Sequence, residues 1–302
     1  MMSPHSPLHI LITGSEGQVG WELQRTLLPL GKVTAVGRKE MDLSSADSIR
    51  ACIRSIQPSL IVNAAAYTAV DKAESEPALA QAVNADAVAV MAEEAKKIGS
   101  AILHYSTDYV FDGTKPAPYV ENDPTHPLSV YGKTKLAGEL ALAHAGIPHL
   151  ILRTSWVYGA RGKNFLRTIL KLAAEKPELR IVADQTGAPT SSREIAAATS
   201  VLVQRWFANN LTEYSDVYHL TATGETTWHG FATEALRLRA ISHPEEALQH
   251  ARLIAIPTSE YPTPATRPMN SRLDCSKLDK IFDVRLPDWK ISLASVLQEI
   301  RH

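Results

Sequence analysis

The first half of the chain alternates short apolar runs with longer segments of helical periodicity. The apolar runs cover 9–13, 32–36, 60–65, 101–106 and 149–154, and the helical patterns cover 18–30, 46–56, 77–98 and 130–145. Repeated strand–helix–strand units place their strands in parallel and their helices on both faces of one sheet. The alternation therefore predicts an α/β fold with a doubly wound parallel sheet.

The second half mixes helices with fewer strands, and its proline-rich stretch 257–270 predicts an irregular crossing segment. Helical patterns cover 164–175, 192–207, 228–240 and 289–300, whereas strand patterns cover 180–183, 217–220 and 253–256. A length of 302 residues allows either one large α/β domain or a nucleotide-binding domain with a smaller partner.

Composition argues against several classes of protein. The 31 basic and 32 acidic side chains nearly balance, so neither disorder nor a nucleic-acid partner is expected. Cys52 and Cys275 are too few for a disulfide framework and too far apart for a metal motif, which favours a reducing compartment. Residues 1–8 lack a leader pattern, and no apolar run reaches the ~20 residues that span a bilayer. We expect a cytoplasmic protein without a membrane partner.

A glycine-rich segment, 10–20, joins the first apolar run to the first helical pattern in the spacing G-x-x-G-x-x-G. Glycine there permits a tight turn and close approach of the backbone to a pyrophosphate, and the N–H groups that open the helix then face the phosphates. The segment predicts a dinucleotide site formed by Gly14, Glu16, Gly17, Gln18, Val19 and Gly20.

The end of the second strand carries Arg38 but no acidic residue for a ribose 2′-hydroxyl. Arg38 either pairs with a 2′-phosphate, which favours NADPH over NADH, or is a solvated surface charge. Asp42, followed by Leu43, either caps the next helix or touches the adenine edge. Three further cofactor candidates follow the third strand, where the nicotinamide half passes in such folds: Ala64, Ala65 and Tyr67.

Tyr131 and Lys135 are four residues apart in a helical pattern, so they share one helix face. A nearby ammonium favours the ionised phenol, which makes tyrosine a better acid–base group. Thr107 follows a strand and can hydrogen-bond a reacting carbonyl, whereas strand alternation puts the competing hydroxyl of Ser106 on the opposite side. The pattern predicts carbonyl reduction, with Thr107, Tyr131 and Lys135 as catalytic residues.

Six blocks spread over nearly the whole chain resemble the dTDP-4-dehydrorhamnose reductase family of extended short-chain dehydrogenases/reductases. They are 63–74, 105–113, 131–139, 153–159, 184–190 and 267–273. The resemblance implies a Rossmann domain over 1–163 and a smaller C-terminal α/β substrate domain over 164–302, with 184–221 returning to the first domain.

The resemblance also implies reduction of the C4 ketone of dTDP-4-dehydro-L-rhamnose by NADPH or NADH, which supplies dTDP-L-rhamnose for bacterial surface polysaccharide. Tyr131 would donate the proton, Lys135 would hold the nicotinamide ribose and lower the tyrosine pKa, and Thr107 would orient the carbonyl. Similar proteins are commonly homodimers, and some use magnesium, although no carboxylate cluster in this sequence assigns a metal site.

The expected substrate residues are Thr107, Asp108, Tyr109, Trp156, Gln185, Thr190 and Arg267. Trp156 either stacks on the sugar or is a core aromatic. Gln185 and Thr190 have the position of nucleotide-contacting residues in similar proteins, and Arg267 either pairs with the diphosphate or forms a surface salt bridge.

Two other functions stay open at this point. One is an NADP-binding regulatory subunit that resembles the non-catalytic subunit of methionine adenosyltransferase, and the other is a reductase or epimerase of another nucleotide sugar. The presence of Thr107, Tyr131 and Lys135 together favours an enzyme.

Overall fold

A parallel sheet of six strands forms the centre of the protein, and its strands lie in the order 216–219, 149–154, 101–107, 60–63, 8–13 and 31–36. The computed structural model describes residues 8–209, 211–244 and 251–300. Residues 1–7, on which most of the leader prediction rests, lie outside the described residues.

The predicted alternation of strands and helices is confirmed in the first half. Its elements are β1 (Leu8–Thr13), α1 (Gln18–Thr26), β2 (Gly31–Val36), α2 (Ala46–Ile56), β3 (Leu60–Asn63), α3 (Val70–Ala73), α4 (Pro77–Gln81), α5 (Ala87–Ile98), β4 (Ala101–Thr107), α6 (Val130–His144) and β5 (His149–Thr154). The predicted helix 77–98 is interrupted by a π-helical turn at Ala82–Asp86, where Asn84 reaches towards the chain that follows β3.

The second half adds one strand to the central sheet and builds the surrounding layers. Its elements are β6 (Val157–Tyr158), α7 (Phe165–Glu175), β7 (Glu178–Val182), β8 (Thr186–Gly187), β9 (Thr190–Ser191), α8 (Ser192–Ala208), β10 (Asp216–His219), β11 (Thr226–Thr227), α9 (Trp228–Ser242), β12 (Arg252–Ile256), α10 (Ser276–Phe282) and α11 (Trp289–Glu299). β10 pairs in parallel with β5, and β12 pairs in parallel with β7 outside the central sheet.

Apolar residues cover both faces of the central sheet because its strands are buried on both sides. One face packs against α1 and α8, with Leu23 and Leu202 fully buried. The opposite face packs against α2, α5 and α6, with Met91 and Leu142 fully buried. A separate apolar core joins α7, α9 and α11.

A buried ion pair fixes α6 to β5. The Arg153 guanidinium donates to both carboxylate oxygens of Glu139, with Nη2–Oε2 at 2.6 Å and Nε–Oε1 at 2.9 Å. The Arg153 guanidinium also lies over the Phe111 ring, 5.0 Å from its centroid. Since Glu139 is one turn beyond Lys135, the pair sets the position of the helix that carries Tyr131 and Lys135.

We expect Glu139→Leu to lower the free energy of unfolding by about 3–5 kcal/mol, because it leaves the buried Arg153 charge unpaired. Adding Arg153→Met should restore most of this loss, since the charge is then gone as well. Urea unfolding of the single and the double variant measures both free energies of unfolding. Glu175→Gln, which removes the exposed Lys171–Glu175 pair, is the matched control and should cost less than about 1 kcal/mol. Equal losses in the single and double variants would contradict the assignment.

Candidate active site

The turn between β1 and α1 is shaped for close approach of another backbone or a ligand. Gly14 has φ +71°, and a Cβ there would lie 2.9 Å from Cα of Ala65. A Cβ on Gly20 would lie 2.1 Å from the Gly14 carbonyl oxygen. Gly17 precedes α1, and no side chain of the described residues caps the first turn of this helix. The N–H groups of the first turn of α1 are therefore available to phosphate oxygens, and the glycine turn fits a dinucleotide.

A cleft of about 850 Å³ begins at this turn and continues along the carboxyl ends of the parallel strands. Most of the predicted cofactor residues line it: Gly14, Glu16, Gly17, Gln18, Val19, Arg38, Asp42, Leu43, Ala64, Ala65 and Tyr67. Gly20 does not line it but packs α1 on the turn. Asp42 accepts from the Ser44 N–H, while Ser45 caps α2, so the helix-cap interpretation of Asp42 is wrong.

The π-helical turn holds the segment that follows β3 beside the cleft. The Tyr67 N–H donates to the Asn84 side-chain oxygen at 2.8 Å, and the Asn84 side-chain nitrogen donates to the Tyr67 carbonyl at 3.2 Å. The same nitrogen lies 3.1 Å from the Thr134 hydroxyl on α6. The buried Asn84 amide thus joins the segment around Tyr67 to α6, the helix that carries Tyr131 and Lys135.

Thr107, Tyr131 and Lys135 meet at the far end of the cleft. Ser129 caps α6 by accepting from the Gly132 N–H at 3.1 Å, which fixes the first helical turn. The Thr107 hydroxyl lines the cleft together with Tyr131 and donates to Asp108 at 3.1 Å. Ser106, predicted on the opposite side, also lines the cleft, but its hydroxyl has no partner among the described residues.

Burial, rather than the neighbouring lysine, controls the phenol. Desolvation raises the pKa of Tyr131 to about 12, although the interaction with Thr107 opposes the rise. Desolvation also lowers the pKa of Lys135 to about 8. The Lys135 Nζ donates to the Tyr105 carbonyl at 2.7 Å and lies 3.3 Å from His104 Nε2. At neutral pH the phenol keeps its proton and the lysine is mainly cationic, the charge states that a proton donor and its electrostatic partner need.

The remaining predicted substrate residues divide into two groups. Asp108, Tyr109 and Trp156 line the cleft beside the reacting groups. Gln185, Thr190 and Arg267 do not line it. Gln185 accepts from Trp228 Nε1 at 3.1 Å, Thr190 is fully buried, and Arg267 donates to both oxygens of Asp71 at 3.0 and 2.8 Å.

Trp156 is only partly buried and lines the cleft, so the interpretation as a core aromatic is wrong. Its ring stacks on Trp228 with centroids 3.6 Å apart, and its backbone has φ +48°. A Cβ on Gly187 would lie 2.6 Å from the Trp156 ring. Sequence reasoning missed Trp228, since only the tertiary fold brings the start of α9 to Trp156.

Neither a metal cluster nor a membrane span is found in the part of the chain that the structure describes. No group of three His, Cys, Asp or Glu side chains there could hold a metal ion, and no helix there is long and apolar enough to cross a bilayer.

We expect Asp108 to make stability depend on pH, because burial raises its pKa to about 7. A carboxyl with a raised folded-state pKa stabilises the fold below pH ~4 and loses that contribution as the pH rises through ~7. The melting temperature of the wild type relative to Asp108→Asn should therefore fall between pH 5 and pH 8. Asp112→Asn is the control. Hydrogen bonds keep the pKa of Asp112 low, so the difference in melting temperature between the wild type and Asp112→Asn should stay constant over this pH range. A constant difference in melting temperature between the wild type and Asp108→Asn would contradict the prediction.

Comparisons with known proteins agree with this geometry. Residues 8–302 match the family model of the RmlD substrate binding domain. The chain is similar to the dTDP-4-dehydrorhamnose reductases of Burkholderia thailandensis (47% identity, 97% of this chain and 99% of that one) and Salmonella typhimurium (48%, 97% and 98%).

Two solved structures resemble it over nearly the whole chain. They are the dTDP-4-dehydrorhamnose reductases from Clostridium acetobutylicum (TM-score 0.87, 34% identity, 96% of this chain and 99% of that one) and Bacillus anthracis, in complex with NADP (0.86, 30%, 97% and 100%). This chain belongs to the dTDP-4-dehydrorhamnose reductase family of extended short-chain dehydrogenases/reductases.

Proposed function

We propose that this protein reduces the C4 ketone of dTDP-4-dehydro-L-rhamnose to dTDP-L-rhamnose with NADPH or NADH. The observation that carries the proposal is the convergence of Thr107, Tyr131 and Lys135 on a cleft that continues into the glycine turn. The curated reductases that are 47–48% identical to this chain, and the related structure in complex with NADP, support this activity.

NADPH or NADH supplies the hydride when it is bound. The α1 N-terminus and its glycine turn would hold the pyrophosphate, and Arg38 would face a 2′-phosphate. The segment from Ala64 to Tyr67 would lie along the nicotinamide half of the cleft. These residues set the distance between the cofactor and the groups that act on the ketone.

Tyr131 donates a proton to the ketone oxygen as negative charge develops there. Thr107 would orient the carbonyl through its hydroxyl, which lines the same cleft as the phenol. Lys135, which lines the cleft with Tyr131, would hold the nicotinamide ribose, and its ammonium would stabilise the phenolate left by proton donation. The depth of the cleft limits water at this point, because Lys135 and Thr107 are almost fully buried.

The domain division at residue 163 and the remaining substrate contacts belong to the same proposal. Trp156 would stack on the sugar, and Asp108 and Tyr109 would contact sugar hydroxyls. Arg267 would have to exchange its pairing with Asp71 to reach a diphosphate. The proposal also includes a homodimeric state and a cytoplasmic location. A regulatory subunit and another nucleotide-sugar reductase are not favoured, because the relatives that match nearly the whole chain are named dTDP-4-dehydrorhamnose reductase.

The experiment that tests the proposal follows NADPH and NADH oxidation by the purified protein with dTDP-4-dehydro-L-rhamnose. We expect turnover with this ketone and none without it. Tight cofactor binding without turnover would overturn the proposal and favour a regulatory subunit.

We expect Tyr131→Phe to lower kcat about 10²-fold or more while the cofactor dissociation constant stays unchanged, because only the positioned acid is lost. Steady-state kinetics and cofactor fluorescence measure the two quantities. Tyr158→Phe is the matched control, since Tyr158 is a buried tyrosine that does not line the cleft. A kcat near that of the wild type in Tyr131→Phe would remove the phenol from the mechanism.

A further inference from the structure

A row of polar side chains crosses three neighbouring strands directly beneath the lysine of the active site. Thr13 ends β1, Asn63 ends β3 and His104 lies in β4, and the strand register pairs Thr13 with Asn63 and Asn63 with His104. All three are buried, with exposed fractions of 1%, 1% and 0%. We call these three residues the polar row. They follow, two positions along each strand, the apolar residues Leu11, Ile61 and Ile102 on the same face.

The polar row forms a continuous chain of contacts that ends at Lys135. The Thr13 hydroxyl donates to Asn63 Oδ1 at 2.7 Å, and Asn63 Nδ2 lies 2.9 Å from His104 Nδ1. His104 Nε2 lies 3.3 Å from Lys135 Nζ. The Ala65 N–H donates to the Thr13 hydroxyl at 3.3 Å, so the other end of the row reaches the nicotinamide side of the cleft.

The charge on Lys135 determines which way the hydrogen bonds in the row can point. Burial and the neighbouring Lys135 hold the pKa of His104 well below its usual range, so the imidazole is neutral and carries one N–H. An ammonium on Lys135 can only donate, so Nε2 must then accept and Nδ1 must carry the hydrogen. That hydrogen needs the amide oxygen of Asn63 as its acceptor.

A neutral amine on Lys135 requires the reverse order. Nε2 then carries the hydrogen and donates to Nζ, and Nδ1 accepts from the Asn63 amide nitrogen. Rotation of the Asn63 amide by 180° exchanges the two orders, because its oxygen and nitrogen occupy nearly equivalent positions. The Thr13 hydroxyl suits both, since it can donate to the amide oxygen or accept from the amide nitrogen.

We propose that the polar row is the positioning device of the catalytic lysine, and that it reverses its hydrogen-bond direction when Lys135 changes charge. His104 is the positioning residue in direct contact with Nζ. In both states the imidazole nitrogens of His104 and the amide group of Asn63 keep a partner, so Lys135 can gain or lose a proton without leaving either of these buried groups unpaired. No part of this arrangement requires a bound cofactor, although its catalytic consequence rests on the proposed function.

The other charged or titratable groups near Lys135 come from two elements. Tyr131 and Glu139 lie on α6, and the charge of Glu139 opposes the fall in the pKa of Lys135. Asp108 follows β4 and raises the pKa of Tyr131. Asn63 and Thr13 add no titratable group from β3 or β1. A change at His104 to an uncharged side chain therefore alters the titration of Lys135 through the row, with these other groups held constant.

The first experiment uses the protein without cofactor or substrate and measures the His104 tautomer by ¹⁵N nuclear magnetic resonance. His104→Gln identifies the signals by their loss. We expect hydrogen on Nδ1 at pH 6 and on Nε2 at pH 10, with a midpoint near the Lys135 pKa of about 8. Lys135→Met should abolish the change. The same tautomer at both pH values in the wild type would overturn the proposed reversal.

The second experiment compares the alkaline limb of the pH profile of kcat in two variants. His104→Phe removes the acceptor at Nε2 and should move the limb to lower pH by about one unit. Asn63→Asp offers only an acceptor to His104 and adds a negative charge, both of which favour the ammonium, and should move the limb to higher pH. Thr199→Val removes a buried hydrogen bond to the Tyr105 hydroxyl and serves as the control, with the limb unmoved.

Opposite shifts in the two variants support the positioning role, whereas superimposable profiles would show that the row is only structural and overturn it. If His104→Phe fails to fold, Asn63→Asp and the wild-type tautomer measurement still decide the question. A pH-dependent tautomer in a protein that does not reduce the nucleotide sugar would refute the proposed function and leave the polar row standing.

Discussion

The parallel hydrogen-bond register of β1, β3, β4 and β5 is the constraint on which the site depends. In a parallel sheet all strands end at the same edge, so residues far apart in sequence are brought side by side there. Thr13, Asn63 and His104 become neighbours only through this register. The backbone pairing thus places the glycine turn, the cofactor-side segment and the reacting groups along one cleft before any side chain takes part.

Burial at that edge then sets the charge states. The same desolvation raises the pKa of Asp108 and Tyr131 and lowers that of Lys135, because each shift favours the neutral form. The phenol holds its proton for donation, and the lysine stays close to its own titration point. Hydrogen bonds from Thr107 and the polar row provide the partners that such buried groups need. The charge states of these three groups are therefore a consequence of burial as much as of residue type.

Close packing holds these groups in place. Glycine at positions 14, 20 and 132 lets α1 and α6 approach neighbouring backbone at distances that a Cβ would forbid. The Arg153–Glu139 pair anchors α6 from within, and Asn84 links it to the segment before α3. Trp156 adopts a left-handed backbone conformation that its stack on Trp228 and the missing Cβ of Gly187 support. Strain of this kind in a bulky residue is found where a site fixes its ring.

The sequence by itself determined the α/β class, the parallel sheet and the family, because hydrophobic periodicity and short local motifs carry that information. It also predicted Tyr131, Lys135 and Thr107 as catalytic residues, since a helical spacing of four and a strand end are local features. Only the tertiary structure decided the contacts of His104 and Trp228, the pairing of Arg267 with Asp71 and the high pKa of Tyr131. These depend on long-range register, on packing between distant elements and on burial, and no local pattern of residues encodes such quantities.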